Sequence, residues 1–201
     1  MNTASAPRDR DLTRERILDA AEALFVEHGF AAVSMRQLAA RSGVTKSLIH
    51  HHFGSKEALW ELVKERAFSA YAEGQEAELH KATEPDAELL KRSVGRYFAF
   101  LKSHPEVVRL FAWTHLEGEQ ACGKLDAELV RLGAEKIRQA QERGLLRSDI
   151  NPTHVVTISV NACTQWFQAH GHHSQWPGMG SDEEFLDDFL RVFMEGLLPR
   201  N

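Results

Sequence analysis

The sequence predicts an all-α protein of about nine helices: an N-terminal three-helix head containing a helix-turn-helix, followed by a C-terminal helical body. Three observations predict it. Apolar residues in every long segment recur at spacings of three and four, and no run alternates as a half-buried strand would. Helix breakers at Gly29, Gly43, Pro85, Gly144, Pro152 and in the segment 171–180 separate these stretches. The window Ser34–Lys56 carries four cations (Arg36, Arg41, Lys46, Lys56), three histidines and no carboxylate, in a chain with 29 acidic residues and a formal charge of -5. An acid-free stretch in so acidic a chain points to an anionic partner.

Thr13 is expected to cap the first helix, which places Ile17, Ala20, Ala21, Leu24 and Phe25 on one face and ends at Gly29. Ser34 is a good N-cap with Gln37 three residues on, the capping-box spacing. Leu38 and Ala39 supply the buried face of this second helix, and Gly43 stands where a helix end favours a left-handed residue. Thr45 caps a third helix whose inward residues, Ile49 and Phe53, lie four apart. Three short helices thus fill residues 13 to 53. The helix-turn-helix covers 34–53, with its second helix shaped to enter a DNA major groove.

A fourth helix starts at Ser55 and runs through KEALWELVKERAFSAYAEG, well past the head. After a break at Thr83–Pro85, Ala87, Leu90, Val94, Tyr97, Phe98 and Leu101 form one stripe. Pro105 opens the next helix in its first turn, where the missing N–H costs nothing, and that helix carries Val108, Phe111, Ala112 and His115. A polar-faced helix follows to about Arg143 and stops at Gly144. Asn151–Pro152 starts another that reaches His170–Gly171, and a Gly/Pro/His-rich loop spans 171–180. Ser181 with Glu184 caps the last helix, through Leu197. The head is therefore 13–58 and the body 59–201.

At 201 residues, 43% apolar and 26% charged, the chain has the composition of a soluble globular protein with a sizeable core. Residues 1–66 carry 10 Lys/Arg against 9 Asp/Glu, and residues 67–201 carry 14 against 20. That asymmetry suits a nucleic-acid-binding end joined to an acidic body. Cys122 and Cys163 are far apart and in no metal-like spacing, which fits a reducing cytosol and argues against a disulfide framework. Residues 1 to 12 have no apolar core of a signal peptide, and no run approaches a membrane span, so a cytoplasmic protein is expected.

The stretch Thr13–Val63, with RILDAAEALFVEHGF, MRQLAARSGV and LIHHHFGSKEAL, closely resembles the N-terminal domain of the TetR family of bacterial transcriptional regulators. Near the C-terminus, GLLRSDINPTHVV and FLRVFMEGLLP resemble the family's last two helices. The resemblance implies a homodimer with two DNA-reading heads and two bodies that respond to a small-molecule effector. Most such proteins are repressors whose ligand respaces the heads so that they no longer match successive major grooves.

The resemblance, with the acid-free window, marks Ser34, Arg36, Thr45, Lys46, Ser47, Leu48, His50, His51, His52 and Lys56 as the DNA-binding set. Arg36 and the outward face of the recognition helix would reach base edges, where Arg and Lys match guanine acceptors. Ser34, His50, His52 and Lys56 would contact phosphates, Lys56 together with a helix N-terminus. Val44, Ile49 and Phe53 are core. One departure is specific: His50 stands where family members usually carry Tyr, so this contact gains a pH dependence.

The family's ligand cavity lies between helices of the body, which nominates Phe98, Trp113, Cys163 and Trp166 as lining, with His115, Asn161 and Gln165 as polar fixers. The last helix carries Phe185, Leu186, Phe189, Leu190, Phe193 and Leu197, more apolar surface than one face of a monomer needs. With the helix before it, this helix is expected to form half of an intersubunit four-helix bundle, with Phe185, Phe189 and Phe193 in the dimer interface.

Other chemistries fit less well. Consecutive histidines 50–52 project about 100° apart on a helix and cannot converge on one metal. His170, His172 and His173 lack an accompanying Cys or carboxylate at a ligand spacing. The segment GEQACGK at Gly118–Lys124 mimics a phosphate-binding loop, but Leu125 follows where Ser or Thr is required and no strand precedes it. No HExxH or GxSxG occurs. An all-helical enzyme or small-molecule carrier with a structural N-terminal bundle is the alternative, and no nucleophile–base or metal constellation supports it. No cofactor or metal is expected.

Overall fold

The computed structural model describes residues 5–119 and 124–199, and among these every regular element is a helix. In chain order they are α1 (Ser5–Ala32), α2 (Met35–Ser42), α3 (Lys46–Phe53), α4 (Lys56–Lys81), α5 (Ala87–Ser103), α6 (Pro105–Leu116), α7 (Lys124–Glu142), α8 (Pro152–His173) and α9 (Asp182–Leu197). The all-α expectation of about nine helices holds. Cys122 and the middle of the Gly118–Lys124 segment lie outside the described residues.

Three boundaries differ from the sequence reading. Thr13 does not cap α1, which begins eight residues earlier, at Ser5. Pro7 falls in its first turn, where no intrahelical N–H is needed, and the Thr13 hydroxyl donates to the Asp9 carbonyl at 2.8 Å, the back-bond of a mid-helix threonine. α4 continues past Gly74 to Lys81, because AELHK consists of good helix formers. α8 also runs further, so His170, His172 and His173 occupy its last turn and are not on a loop.

The residues form two compact units. The first holds the described residues up to Phe68 and from Arg109 to Glu119; the second holds Ser69–Val108 and the described residues from Lys124 onward. α4 and α6 therefore each contribute to both units.

In the first unit, the apolar faces of α1, α2, α3 and α4 converge on one core. Ile17, Ala21, Phe25, Leu38, Ile49, Leu59 and Val63 are fully buried there, and Leu110 of α6 joins them. Val44 packs at the edge of this core, and Ile49 and Phe53 lie inside it, as their four-residue spacing requires. Phe25 and Phe30 pack against the Trp60 ring at centroid distances of 5.1 and 6.0 Å.

The second unit packs α5, α7, α8 and α9 with the second half of α4. Ile137, Ala140, Leu146, Val155, Met194 and Leu197 form one cluster, and Leu79, Leu89 and Leu132 form another. Asp86 caps α5 by accepting from the Leu89 N–H at 2.9 Å. The capping box predicted at Ser181 and Glu184 is present with both of its hydrogen bonds. Gly144, with φ of +72°, follows α7 as a left-handed terminator should.

Gly29 interrupts α1 with φ of +77° and ψ of 174°. A Cβ there would lie 2.6 Å from Glu117 Oε1 and 2.7 Å from Trp113 Cε3. Neither neighbour is free to retreat. Glu117 Oε1 accepts from the Ala31 N–H at 3.0 Å, and the Trp113 indole N–H donates to the Val26 carbonyl at 3.2 Å. Gly29→Ala should therefore combine left-handed strain with a steric overlap and destabilise the first unit by roughly 2–4 kcal/mol. Thermal melting checks this: an unchanged melting temperature would show that the α1 end is not held as described.

Candidate nucleic-acid interface

The acid-free window folds into α2, a tight turn and α3. Ser34 Oγ accepts from the Gln37 N–H at 3.3 Å while Gln37 Oε1 accepts from the Ser34 N–H at 2.9 Å, so the expected capping box is formed. Gly43 closes α2 in the left-handed region, at φ of +68° and ψ of 29°. Thr45 caps α3 by accepting from the Leu48 N–H at 3.3 Å, and its hydroxyl lies 3.0 Å from that of Ser47. With Ile49 and Phe53 turned inward, α3 presents Lys46, Ser47, His50 and His51 to solvent, while Leu48 and His52 are half-buried at its flanks. Ser34, Arg36 and Thr45 are exposed as well.

Electrostatics favour an anion on this face. Among the described residues, no carboxylate pairs with Arg36, Arg41 or Lys46, so their charges stay available. Three acids of α1 are drawn elsewhere: Arg66 of α4 pairs with Asp19 at 2.8 Å, with Glu15 at 3.5 Å and with Glu22. His52 is held below the ordinary imidazole range, first by burial and then by the charges of His51, Arg10 and Arg14. It therefore stays neutral under conditions where a free histidine begins to charge.

Beyond the capping residues, Lys56 and His50 of the predicted set also have internal partners. The Lys56 ammonium donates to the carbonyls of Phe30 and Val33, both at 2.9 Å, and sits 4.1 Å from the Phe30 ring centroid. Two of its three donors are thus committed to the α1–α2 connection, and one remains for a phosphate. The His50 Nδ1–H donates to the Gly54 carbonyl at 2.8 Å. In the neutral ring that leaves Nε2 as a bare acceptor, unsuited to a phosphate until the imidazole gains a second proton.

Sequence reasoning missed the braces that hold the pair of helices. The Arg16 guanidinium donates to the Ser42 carbonyl at 2.9 Å, which ties α1 to the C-terminal end of α2. Arg109 donates to the Val26 and Glu27 carbonyls at 2.6 and 3.3 Å, so α6 grips the end of α1 beside Trp113. An arginine on the apolar flank of a helix was the only sequence signal for Arg16. Nothing local marked Arg109, because its partners lie more than eighty residues away.

The residues nominated for a ligand cavity fall in both units. Trp113 and His115 belong to the first unit, where Trp113 packs on Gly29 and the His115 ring lies 2.7 Å from the Phe111 carbonyl. Phe98, Asn161, Cys163, Gln165 and Trp166 belong to the second. Phe98, Cys163 and Trp166 are buried there, whereas Asn161 and Gln165 lie on the exposed face of α8. That face also carries Ile158, 51% exposed, and α9 carries Val192, 72% exposed. Phe185 stacks on Trp166 with centroids 3.9 Å apart, and Phe189 and Phe193 continue the aromatic row along α9, both half-buried. No group of three or more metal-ligating side chains converges among the described residues.

Comparison with known proteins accords with this geometry. The family model described as bacterial regulatory proteins, tetR family, matches residues 17–63, and that of the Tetracyclin repressor-like C-terminal domain matches residues 90–187. The HTH-type transcriptional repressor SCO4008 of Streptomyces coelicolor is 29% identical over 164 residues, covering 80% of this chain and 81% of the relative. Among solved structures, SCO4942, a proposed transcriptional regulator from Streptomyces coelicolor, superposes with a TM-score of 0.70 at 26% identity over 94% of this chain and 99% of its own. AibR, in complex with isovaleryl coenzyme A and operator DNA, shares the fold at a TM-score of 0.66 and 20% identity, over 90% and 97% of the two chains. With a helix-turn-helix of this build and family models matched in both halves, the chain belongs to the TetR family of bacterial transcriptional regulators.

Proposed function

We propose that this chain is a ligand-responsive repressor that binds operator DNA as a homodimer and is released by a small-molecule effector. The observation that carries the reading is the face of α2 and α3: unpaired Arg36 and Lys46, two capped helix N-termini and no carboxylate between Ser34 and Lys56. Such a face meets phosphates through backbone N–H groups and base edges through long cations. A repressor among the relatives supports the sign of regulation. The DNA-binding set is Ser34, Arg36, Thr45, Lys46, Ser47, Leu48, His50, His51, His52 and Lys56, in the domain 13–58, with effector binding and dimerisation in 59–201. Its relatives are bacterial transcription regulators, and on that ground we read it as a cytoplasmic protein that is not an enzyme. No described helix is long and apolar enough to cross a membrane.

We assign dimerisation to α8 and α9, which expose Ile158 and Val192 and carry, on α9, the row Phe185, Phe189 and Phe193. Effector binding in the second unit acts on the head through α4 and α6, the two helices with residues in both units. A coupling of about 1–3 kcal/mol, usual for allosteric proteins, lowers operator affinity roughly 5- to 150-fold.

Gel shifts titrated with salt test the DNA assignment. Arg36→Ala should leave the melting temperature unchanged and relax preference at one base pair per half-site, costing on the order of 1–3 kcal/mol per contact. Lys56→Ala should weaken all sequences alike and flatten the salt dependence. It should also lower stability by about 1–3 kcal/mol, because two part-buried carbonyls lose their donor. Binding identical to wild type in both variants would remove this face from the interface.

The tautomer of His50 fixes the sign of a pH effect. A proton on Nε2 creates the phosphate donor, so operator affinity should be higher in acid than in base. His50→Tyr supplies a hydroxyl donor at every pH and should lose that component while still binding. Equal pH slopes for the two proteins would exclude His50 as the source.

Phe189→Glu tests assembly. A charge placed in the aromatic row is unpaired once a partner covers it, at a cost of several kcal/mol. Sedimentation should then show monomer or aggregate, and operator affinity should fall because two linked heads no longer engage together. A folded, dimeric Phe189→Glu protein would place the interface elsewhere.

A further inference from the structure

The interior of the second unit contains a seam of polar side chains that the fold does not fully use. Tyr71 and Gln75 lie one turn apart on α4, Ser93 and Tyr97 one turn apart on α5, and Cys163 and Thr164 are adjacent on α8. The Gln75 amide donates to Ser93 Oγ at 2.9 Å, the Tyr97 and Thr164 hydroxyls lie 2.9 Å apart, and the Tyr71 and Tyr97 rings are 5.3 Å apart. Gln75 is only 5% exposed, yet its Oε1 is buried without a hydrogen-bond partner. Turning the amide over does not cure this, because Ser93 then serves Oε1 and strands Nε2.

Folded interiors rarely tolerate a stranded amide end. One turn further along α4, Leu79 packs apolar-to-apolar against Leu89 and Leu132, which is the arrangement a purely structural seam would also adopt at position 75. Gln75 Oε1 is thus an acceptor open to a partner, one of three buried side-chain atoms without a hydrogen bond among the described residues, the others being Gln168 Nε2 and His173 Nδ1.

We propose that this seam orients the effector, and that the effector is an uncharged, largely apolar molecule bearing one hydroxyl, carbonyl or amide group that Gln75 engages. The inference rests on the ligand-responsive reading above, and it adds the chemical class of the ligand and the residue that recognises it. The six seam residues offer hydrogen bonds without a full charge. Burial pushes the Tyr71 and Tyr97 phenols well above their ordinary range and the Cys163 thiol up to about 12, so all three remain neutral. The charges nearest the seam are engaged: Arg96 pairs with Glu78 and donates to the Gly74 carbonyl at 3.0 Å, and Asp126, whose charge acts on Tyr97, is not free either. An organic anion or cation in the seam would be buried without a counter-charge, which is strongly unfavourable. The seam's walls are aromatic as well as polar, since Tyr71 stacks on Phe100 with centroids 4.9 Å apart.

The test uses four probes with one ring system: 2-naphthol, 2-naphthamide, 2-naphthoate and naphthalene. Binding to the full-length protein is measured by ligand-observed NMR for wild type, Gln75→Leu and the unbranched Gln75→Met, with melting temperatures alongside. The expected result is at least tenfold weaker binding of the naphthol and the naphthamide to both variants, with naphthalene unaffected. The variants should melt at or above the wild-type temperature. If Gln75 serves only to bond Ser93, the variants melt lower and bind every probe as wild type does, and the proposal fails. It fails equally if 2-naphthoate binds best, or if neither neutral polar probe binds. Gel shifts with the same probes separate the two levels of the argument. Gln75-dependent binding that never releases operator upholds the seam and removes the ligand-responsive reading. Operator release by 2-naphthoate in wild type and both variants upholds that reading and removes the seam.

Discussion

The end of α1 is the constraint on which the DNA-facing part of this protein depends. Between Val26 and Val33 the helix stops at a left-handed glycine, and the carbonyls it leaves behind must find donors. They find them on two other helices. Arg109 and Trp113 of α6 serve Val26 and Glu27, and Lys56 at the start of α4 serves Phe30 and Val33. Glu117, just beyond α6, takes the Ala31 N–H. Gly29 has no side chain because Trp113 and Glu117 occupy the space where one would stand. One residue after this knot, Ser34 caps α2, so the position of the helix-turn-helix follows from how the α1 end is satisfied.

This arrangement also changes what the basic residues mean. Lys56 looks in sequence like a free cation at a helix start, and the structure gives most of its hydrogen bonds to the backbone. Arg36 and Lys46 make no ion pair among the described residues. The three histidines of α3 divide likewise: His50 is tied to Gly54, His51 is exposed, and His52 is kept neutral by burial and neighbouring cations. A face of uniform composition thus contains some residues that build the interface and others that are free to use it.

Much of this was legible in the sequence because the signals were local. The capping boxes at Ser34–Gln37 and Ser181–Glu184, the left-handed Gly43 and the inward Ile49 and Phe53 all depend on residues within a turn of one another. The start of α1 was misread for a related reason: Thr13 has the chemistry of a cap, yet the preceding residues form helix and turn its hydroxyl to a back-bond. Glycine and proline in 171–180 suggest a loop from Gly171 onward, whereas Gly171, His172 and His173 are absorbed into the last turn of α8. Long-range partnerships left no trace in spacing. Trp113, nominated because the family's cavity lies between helices of the body, packs on Gly29. Gln75 drew no attention, since a single polar residue on a helix becomes informative only when its burial is known.

The central claim is that a dimer presents two copies of the α2–α3 face to successive major grooves. Selection of random duplexes by the purified full-length protein, followed by sequencing, tests it most directly. The account predicts enrichment of near-palindromes whose half-sites are centred about one helical turn apart or somewhat more. Enrichment of single, unpaired half-sites, or none above non-specific background, would contradict it.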